Sequence, residues 1–254
     1  KSPQQMGGAL IKTYWADKMG IDPKDIFVVS IMPCTAKKFE VGRDDMSAAG
    51  EGIADVDVAL TTRELARMIG RAGIKFTALA DEEFDAPLGV DTGAAVIFGA
   101  TGGVMEAALR SVYEMVTGKQ AGDLDFVGVR GHEAIKEASL DLNGTTVKVA
   151  VTSGLKNAKV LLDKIRAGEA DYHFIEVMCC PGGCVGGGGQ PFRTTAAIKA
   201  QRMDGLYKVD KKSTYRQSHK NPEIHKLYEE FLGEPNGHKS HELLHTHYTK
   251  REVK

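Results

Sequence analysis

The sequence contains little cysteine, no excess of either charge and no long apolar run. Four cysteines in 254 residues are too few for a disulfide-stabilised scaffold, and three of them lie within residues 179–184, where pairing with one another would be strained. Lys and Arg number 33 and Asp and Glu 34, and no basic cluster is interleaved with aromatic residues, so nucleic-acid binding is not expected. Charge or glycine interrupts each apolar stretch well short of a membrane span.

What is present is the composition of a soluble globular protein. Hydrophobic residues make up 42% of the chain, which is long enough for one large core or two smaller lobes. Cysteines outside disulfide bonds fit a reducing compartment, and we expect a cytoplasmic location. No signal peptide is evident, and the chain begins with Lys1 instead of methionine, so we expect a fragment of a longer protein.

Charge is distributed unevenly along the chain. Residues 192–254 contain 13 Lys and Arg against 8 Asp and Glu, whereas the rest of the chain contains 20 against 26. A basic tail that folds over an acidic body would explain this asymmetry. A docking surface for an acidic protein partner is the alternative explanation.

Apolar periodicity and turn residues predict helices that alternate with short strands. The predicted helices are at residues 4–19, 62–70, 104–117 and 155–166, and the predicted strands at 25–31, 56–60, 126–130, 147–151 and 173–177. Gly20 is expected to end the first helix, Thr62 to cap the second, and Asn143-Gly144 to form a turn between strands. Strands cease after residue 191, and polar helices follow at 194–204, 222–232 and 238–246. We therefore divide the chain into residues 1–191 and a helical tail of residues 192–254.

Three cysteines in two short segments carry most of the chemical information. Cys34 follows a strand-like apolar run, and Cys180 and Cys184 have the spacing C-x3-C, with Pro-Gly-Gly between them and glycines at 186–189. Glycine lets the backbone wrap closely around a bulky group and point N–H groups at sulfur, as an iron–sulfur cluster requires. Buried structural cysteines in a flexible loop are the alternative. Adjacent residues rarely reach two corners of one cluster, so Cys179 is expected only to pack beside the site.

Residues near these cysteines suggest a cofactor pocket. Lys37 could supply a compact cation to a cluster, and Glu40 could pair with Lys37 or relay protons. Each could equally be an ordinary solvated side chain. Met32 and Met178 each lie two residues before a candidate ligand, and this repetition favours an apolar cofactor wall over simple core packing.

Two further motifs have competing interpretations. Residues 99–103 (Gly-Ala-Thr-Gly-Gly) open a predicted helix and could bind an anion at its N-terminus or allow close approach to a cofactor, but they match no nucleotide-binding loop. His241-Glu242-Leu243-Leu244-His245 matches the H-E-x-x-H pattern of zinc hydrolases. A surface or packing helix is the more ordinary explanation of those histidines.

At these residues the sequence resembles the iron-only hydrogenase family. The segments that carry the resemblance cover essentially the whole chain and lie at residues 1–6 (Lys-Ser-Pro-Gln-Gln-Met), 32–40, 98–103, 176–191 and 232–248. The resemblance implies an α/β fold with parallel-rich sheets flanked by helices in two lobes around a buried cluster site, followed by a C-terminal helical tail resembling the family's small subunit.

The resemblance also implies a cofactor, the H-cluster, in which a [4Fe-4S] cubane is joined through one cysteine sulfur to a di-iron centre carrying CO, cyanide and a bridging dithiolate. Cys34, Cys180 and Cys184 would ligate the cubane, and Cys184 would bridge to the di-iron centre. Lys37 would hydrogen-bond a cyanide, and Glu40 would lie on the proton route. The remaining implied cofactor contacts come from Pro3, Gln4, Met32, Phe98, Gly99 and Met178.

The implied function is reversible H2 oxidation and proton reduction, with electrons from ferredoxin or an NAD(P)-linked partner subunit. The alternative is a non-catalytic relative, either an iron–sulfur assembly factor or a hydrogen sensor. The intact set of Lys37, Met32 and Met178 favours catalysis. The family's first motif, Thr-Ser-Cys-Cys-Pro, is absent. It carries the fourth cubane ligand and a proton-shuttling cysteine, so this chain alone is expected to be incomplete for catalysis.

Overall fold

The computed structural model describes residues 1–119, 124–131 and 133–250, which form two compact units. The first unit combines Lys1–Val90 with the segment that begins at Pro222, and the second comprises Asp91–Asn221. The helices are α1 (Pro3–Leu10), α2 (Ala16–Met19), α3 (Ala36–Glu40), α4 (Thr62–Arg71), α5 (Gly93–Val96), α6 (Gly103–Thr117), α7 (Leu155–Arg166), α8 (Ala196–Lys212), α9 (Pro222–Leu227) and α10 (His238–Leu244). The strands are β1 (Val29–Met32), β2 (Val58–Thr61), β3 (Ile135–Leu142), β4 (Thr145–Ser153) and β5 (Phe174–Met178). The predicted division at residue 191 stays a prediction.

The first unit joins its N-terminal helices to the helices after residue 222. A π-helical stretch, Ile11–Trp15, connects α1 to α2, and Gly20 ends the helix in the left-handed conformation, as predicted. A second π-helical stretch, Tyr228–Leu232, follows α9. Leucines from both parts of the unit form its apolar core: Leu10, Leu227, Leu232 and Leu243. The C-terminal helices are therefore integral to this unit, because their apolar side chains fill its core.

The small sheet of the first unit contains the parallel pair β1 and β2, with Ile31 opposite Leu60. Strand β1 begins four residues later than predicted, because Pro23–Asp25 forms a 3-10 turn instead. The apolar run of residues 25–31 is typical of a buried strand, but Val29 and Ile31 are 44% and 42% exposed, so β1 is only partly buried. The sheet delivers the Cys34 segment from the carboxyl end of β1.

Thr61, not the predicted Thr62, caps α4. Its extended backbone (φ −78°, ψ 158°) places its hydroxyl oxygen 3.2 Å from the Glu64 amide, and the Glu64 carboxylate accepts the Thr61 amide at 2.8 Å. This reciprocal pair is a capping box, which satisfies backbone donors that the first helical turn leaves open. The backbone bond from Thr61, assisted by Lys38, lowers the pKa of Glu64 to about 2.

The second unit contains a mixed sheet in the order β3–β4–β5. Strands β3 and β4 form an antiparallel hairpin, whereas β4 and β5 are parallel. Asn143 and Gly144 turn the hairpin with φ angles of 53° and 86°, as the sequence predicts. Five buried residues form the core between α6 and the sheet: Met105, Leu109, Val129, Val149 and Val151. The α/β fold class is confirmed.

One predicted strand of this unit was wrong and one strand was missed. Residues 126–130 contain a 3-10 turn, Val127–Val129, and the hairpin partner of β4 is β3. The sequence pattern hides β3 because Lys136 occupies an inward-facing position at which an apolar side chain is expected. Helix α7 has the predicted bounds.

Over residues 1–119, 124–131 and 133–250, none of the helices has the length and apolar character that crossing a membrane requires.

Replacement of Thr61 tests the position of the α4 cap. We expect Thr61→Ala to lower the free energy of unfolding by about 1 kcal/mol, because the helix loses its N-cap acceptor. Thr62→Ala is the matched control and should change stability much less. Urea unfolding of both variants measures the difference. An equal loss in both variants would show that the cap has been assigned to the wrong threonine.

Candidate functional site

Three polar side chains of the first unit converge on one carboxylate oxygen of a fourth residue, Glu40. The Oε2 atom of Glu40 accepts the Ser2 hydroxyl at 2.6 Å and the Gln4 amide nitrogen at 2.8 Å, and lies 3.1 Å from the Lys37 ammonium. We call Ser2, Gln4, Lys37 and Glu40 the Glu40 cluster. It brings together three residues that the sequence predicts for the site, from the start of α1 and from α3.

Hydrogen bonding fixes the members of the Glu40 cluster. The Ser30 hydroxyl of β1 donates to the Gln4 side-chain oxygen at 2.6 Å, so the amide of Gln4 is bound at both ends. Burial would raise the pKa of Glu40, but the hydrogen bonds from Ser2 and Gln4 and the charge of Lys37 outweigh it and lower that pKa. Glu40 is therefore an ionised acceptor at neutral pH, and it orients the Lys37 side chain.

The other predicted residues of this unit lie close in sequence to the cluster. Met32 is the last residue of β1, Cys34 lies between β1 and α3, and both are half-buried. Pro3 is the first residue of α1, where its fixed φ angle and missing N–H suit a helix start. Strand β1 and the two helix starts thus present Pro3, Met32, Cys34 and Lys37 within one short part of the fold.

In the second unit, strand β5 ends at Met178 and leads into the cysteine loop, residues 180–184. Gly182 and Gly183 have φ angles of 88° and 89°. A Cβ atom on Gly183 would lie 2.6 Å from the Thr101 nitrogen and 2.8 Å from the Gly99 oxygen. The loop therefore lies directly against the predicted residue Gly99 and the following Ala100 and Thr101, and glycine is required there.

Of the two interpretations of residues 99–103, the structure shows an anion at the helix N-terminus, and that anion is a side chain of the protein itself. The Glu176 carboxylate accepts the Gly102 amide at 2.6 Å and the Met105 amide at 2.7 Å, at the N-terminus of α6. Sequence reasoning missed Glu176. Its position two residues before Met178, on an otherwise apolar strand, was the available signal.

Helix α8 holds the cysteine loop from the other side. The Lys199 ammonium lies 3.3 Å from the Pro181 carbonyl oxygen, and the Arg202 guanidinium donates to the Val185 carbonyl at 2.8 Å. Val185 also packs with Ala100 and Met203 in a small apolar cluster. Residues assigned by sequence to a separate tail thus support the loop that carries Cys180 and Cys184.

A buried ion network, also missed from the sequence, joins α6 to α8. Arg110 binds Glu106 at 2.6 Å and Asp210 at 2.7 Å, and all three side chains are fully buried. Arg216 and Asp125 extend it at 2.7 Å, and the basic partners lower the pKa of Asp125 against the effect of its burial. Buried charges of this kind are tolerated only when paired and hydrogen-bonded.

The histidines of the H-E-x-x-H motif do not share one helix. Helix α10 ends at Leu244, so His245 lies beyond it, and its ring stacks on that of His241 with centroids 4.0 Å apart. In the described part of the chain, no three His, Cys, Asp or Glu side chains are grouped so that they could hold a metal ion. The zinc interpretation therefore lacks a third ligand among the described residues.

Comparison with known proteins identifies the family. The sequence matches the model for the iron only hydrogenase large subunit, C-terminal domain, over residues 1–188. It matches the model for the iron hydrogenase small subunit over residues 196–251. The chain belongs to the iron-only hydrogenase family. The resemblance predicted from the cysteine segments is thereby confirmed.

Relatives within the iron-only hydrogenase family differ in what they are named for. The NADP-reducing hydrogenase subunit HndD of Solidesulfovibrio fructosivorans is 51% identical over 99% of this chain and 43% of that protein. The cytosolic iron-sulfur assembly component 3 of Mus musculus is 29% identical over 98% of this chain and 52% of that protein. The chain thus spans about half the length of these curated relatives.

Solved structures show the same fold. A variant of the [FeFe]-hydrogenase HydA1 from Chlamydomonas reinhardtii aligns with a TM-score of 0.82 and 46% identity over 98% of this chain and 69% of that one. The iron-only hydrogenase fold is therefore shown, whereas the roles of the individual site residues stay predictions.

Substitution of Gly183 tests the close approach of the cysteine loop. Alanine at either Gly182 or Gly183 is strained because both residues have positive φ angles, and Gly183, with a ψ angle of −160°, lies in a region that is open essentially only to glycine. Only at Gly183 does the new Cβ meet backbone atoms, whereas at Gly182 it meets only the flexible Lys199 side chain at 3.3 Å. We expect Gly183→Ala to lose about 1–3 kcal/mol more than Gly182→Ala in urea unfolding. Equal losses would show that the loop does not lie against residues 99–101.

Proposed function

We propose that this chain is part of the catalytic domain of an iron-only hydrogenase, which interconverts H2 with protons and electrons. The observation that carries the proposal is the Glu40 cluster, in which a lysine three residues after a candidate cysteine ligand is held by an ionised carboxylate. A protein that only stores or transfers an iron–sulfur cluster has no evident need for a lysine fixed in this way. The intact Met32 and Met178 pair supports the same conclusion.

The cysteines fit an iron–sulfur cluster by their chemistry. None of the four forms a disulfide bond, and Cys34, Cys180 and Cys184 are each partly accessible. Thiolates are the ligands that such clusters use, and the glycine backbone around the cysteine loop leaves room for a bulky inorganic group. These three residues would hold a [4Fe-4S] cubane, with Cys184 also bridging to a di-iron centre that carries CO, cyanide and a dithiolate. When bound, that centre supplies the open iron position at which hydrogen reacts.

The protein contributes orientation and shielding. Lys37 would donate an N–H to a cyanide ligand, and Glu40 keeps the lysine side chain from moving away. Pro3 and Gln4 would line the same end of the cofactor. Three further half-buried residues would form an apolar wall that limits entry of water: Met32, Phe98 and Met178.

Glu40 would also lie on the route by which protons reach the cofactor. The hydrogen bonds from Ser2 and Gln4 and the charge of Lys37 keep Glu40 ionised at neutral pH, so its carboxylate is available to accept a proton. Ser2 and Lys37, both bonded to Oε2, are the donors through which such a transfer would run.

Electrons would come from ferredoxin or an NAD(P)-linked partner subunit in the cytoplasm. The printed name of the Solidesulfovibrio relative, a subunit of an NADP-reducing hydrogenase, supports the second source. The net positive charge of residues 192–254 suits docking of an acidic protein.

An iron–sulfur assembly factor is the second candidate, because a relative named for that role aligns over 98% of this chain. A hydrogen sensor would share the same domain. Hydrogen turnover measured in the full-length protein with an artificial electron carrier separates these functions. We expect turnover, whereas a correctly loaded full-length protein without turnover would be a non-catalytic relative.

Alanine substitution of single cysteines tests the ligand set. We expect Cys34→Ala, Cys180→Ala and Cys184→Ala each to lose most of the bound iron after anaerobic reconstitution of the full-length protein, because each removes a thiolate ligand. Cys179→Ala is the control and should retain iron, since Cys179 is exposed and adjacent to a better-placed ligand. Iron and sulfide analysis measures the outcome.

The same variants have a spectroscopic readout. Cys184→Ala should lack the infrared bands of CO and cyanide, because it removes the bridging sulfur. Retention of those bands in Cys184→Ala would refute the bridging role. A wild-type protein that contains zinc and no iron would refute the cluster altogether.

Lys37→Asn tests the lysine. We expect weaker retention of the di-iron centre and at least about tenfold lower H2 turnover, because the cyanide loses its charged donor. Lys38→Asn is a matched control, since it breaks an ion pair with Glu64 of 2.9 Å outside the Glu40 cluster. Thermal unfolding should show both variants folded. Equal turnover in the Lys37 and Lys38 variants would mean that Lys37 is an ordinary surface lysine.

A further inference from the structure

A single peptide unit in the second unit is held at both ends by buried charged side chains. The Lys136 ammonium donates to the Thr101 carbonyl oxygen at 2.9 Å. The Glu176 carboxylate accepts the amide of the next residue, Gly102, at 2.6 Å. The carbonyl and the N–H of the Thr101–Gly102 peptide are thus bound by side chains of opposite charge.

Burying the charges of Lys136 and Glu176 costs free energy. Lys136 is 4% exposed and Glu176 is 6% exposed. Burial lowers the pKa of Lys136 and raises that of Glu176. Burying a charged group costs free energy that its hydrogen bonds must offset, and apolar residues at these two positions would carry no such cost. An apolar pair, however, could not fix the direction of a peptide.

The clamped peptide shares the Thr101 Cα atom with the Ala100–Thr101 peptide, and this preceding peptide binds the cysteine loop. The Thr101 amide donates to the Gly182 carbonyl at 3.2 Å. Gly183 lies so close to Ala100 and Thr101 that no side chain fits between them. Glu176 belongs to β5, the strand that runs into the loop. A rotation of the Thr101–Gly102 peptide would therefore displace the backbone on which Cys180 and Cys184 are carried.

We propose that Lys136 and Glu176 are positioning residues that clamp the Thr101–Gly102 peptide and thereby hold the cysteine loop in its ligand-presenting conformation. The role assigned to the loop rests on the proposed function. The clamp itself is a property of the protein without iron and can be tested in that form.

The test measures the accessibility of each thiol in the iron-free full chain. Iodoacetamide labels the cysteines, and mass spectrometry gives the alkylation rate of each one, with Cys34 in the other unit as internal reference. Glu176→Gln keeps the side-chain size but places a donor against one of its two amide partners, and Lys136→Met keeps length without donors. Glu137→Gln and Lys148→Met on β3 and β4 are matched controls, since these side chains are 47% and 45% exposed.

We expect alkylation of Cys180 and Cys184 to rise about fivefold or more in both clamp variants, because the loop opens more often. The rate at Cys34 and both control variants should stay at the wild-type level.

Three results would overturn the clamp. The first is unchanged alkylation in a folded Glu176→Gln or Lys136→Met variant. The second is an equal rise at Cys34, which indicates general loosening. The third is loss of folding in Glu176→Gln together with unchanged alkylation in Lys136→Met, which makes Glu176 purely structural. Iron reconstitution of the wild type is scored separately, so failure to bind iron would reject the proposed function while leaving the alkylation result interpretable.

Discussion

The backbone of the cysteine loop lies too close to residues 99–101 for any side chain at Gly183. Several hydrogen bonds of the second unit depend on this close contact. Two successive residues in the left-handed region expose carbonyls and amides that a regular element would have paired internally. Residues outside the loop supply the partners. The Thr101 amide donates to the Gly182 carbonyl, and Lys199 and Arg202 of α8 bind the carbonyls of Pro181 and Val185. A glycine-rich loop with few side chains to anchor it is therefore held by hydrogen bonds to its own backbone.

Charge is handled in the same way in both units. Glu40 in the first unit stays ionised although it is partly buried, because three donors converge on one of its oxygens. In the second unit Arg110 is fully buried between Glu106 and Asp210, and Glu176 is bound by two backbone amides. Each of these charges has several hydrogen-bonding partners, which offset the free-energy cost of removing it from water. Rigid placement follows, since a side chain with two or three hydrogen bonds has few alternative rotamers that keep them.

Sequence reasoning succeeded where the signal is local and failed where partners are distant. The bounds of α7, the stop at Gly20 and the Asn143–Gly144 turn follow from short patterns of apolar residues and glycine. The cap at Thr61 was misplaced by one residue because two adjacent threonines satisfy the same pattern. Strand β3 was missed because Lys136 faces inward for a reason that only the fold reveals. Contacts such as Glu176 to Gly102 or Arg202 to Val185 leave no periodic trace, since they join residues from separate elements.

The basic character of residues 192–254 had two explanations, and the described contacts favour internal use for several of its cations. Lys199 and Arg202 bind loop carbonyls, and Arg216 binds Asp125 and Asp210. Lys211 also pairs with Asp125. Charges committed to a neighbouring loop or a buried carboxylate have little attraction left for an external protein, because their field is neutralised at short range. A docking surface would therefore have to draw on the more exposed lysines. Helix α8 therefore helps to hold the cysteine loop in place through its side chains.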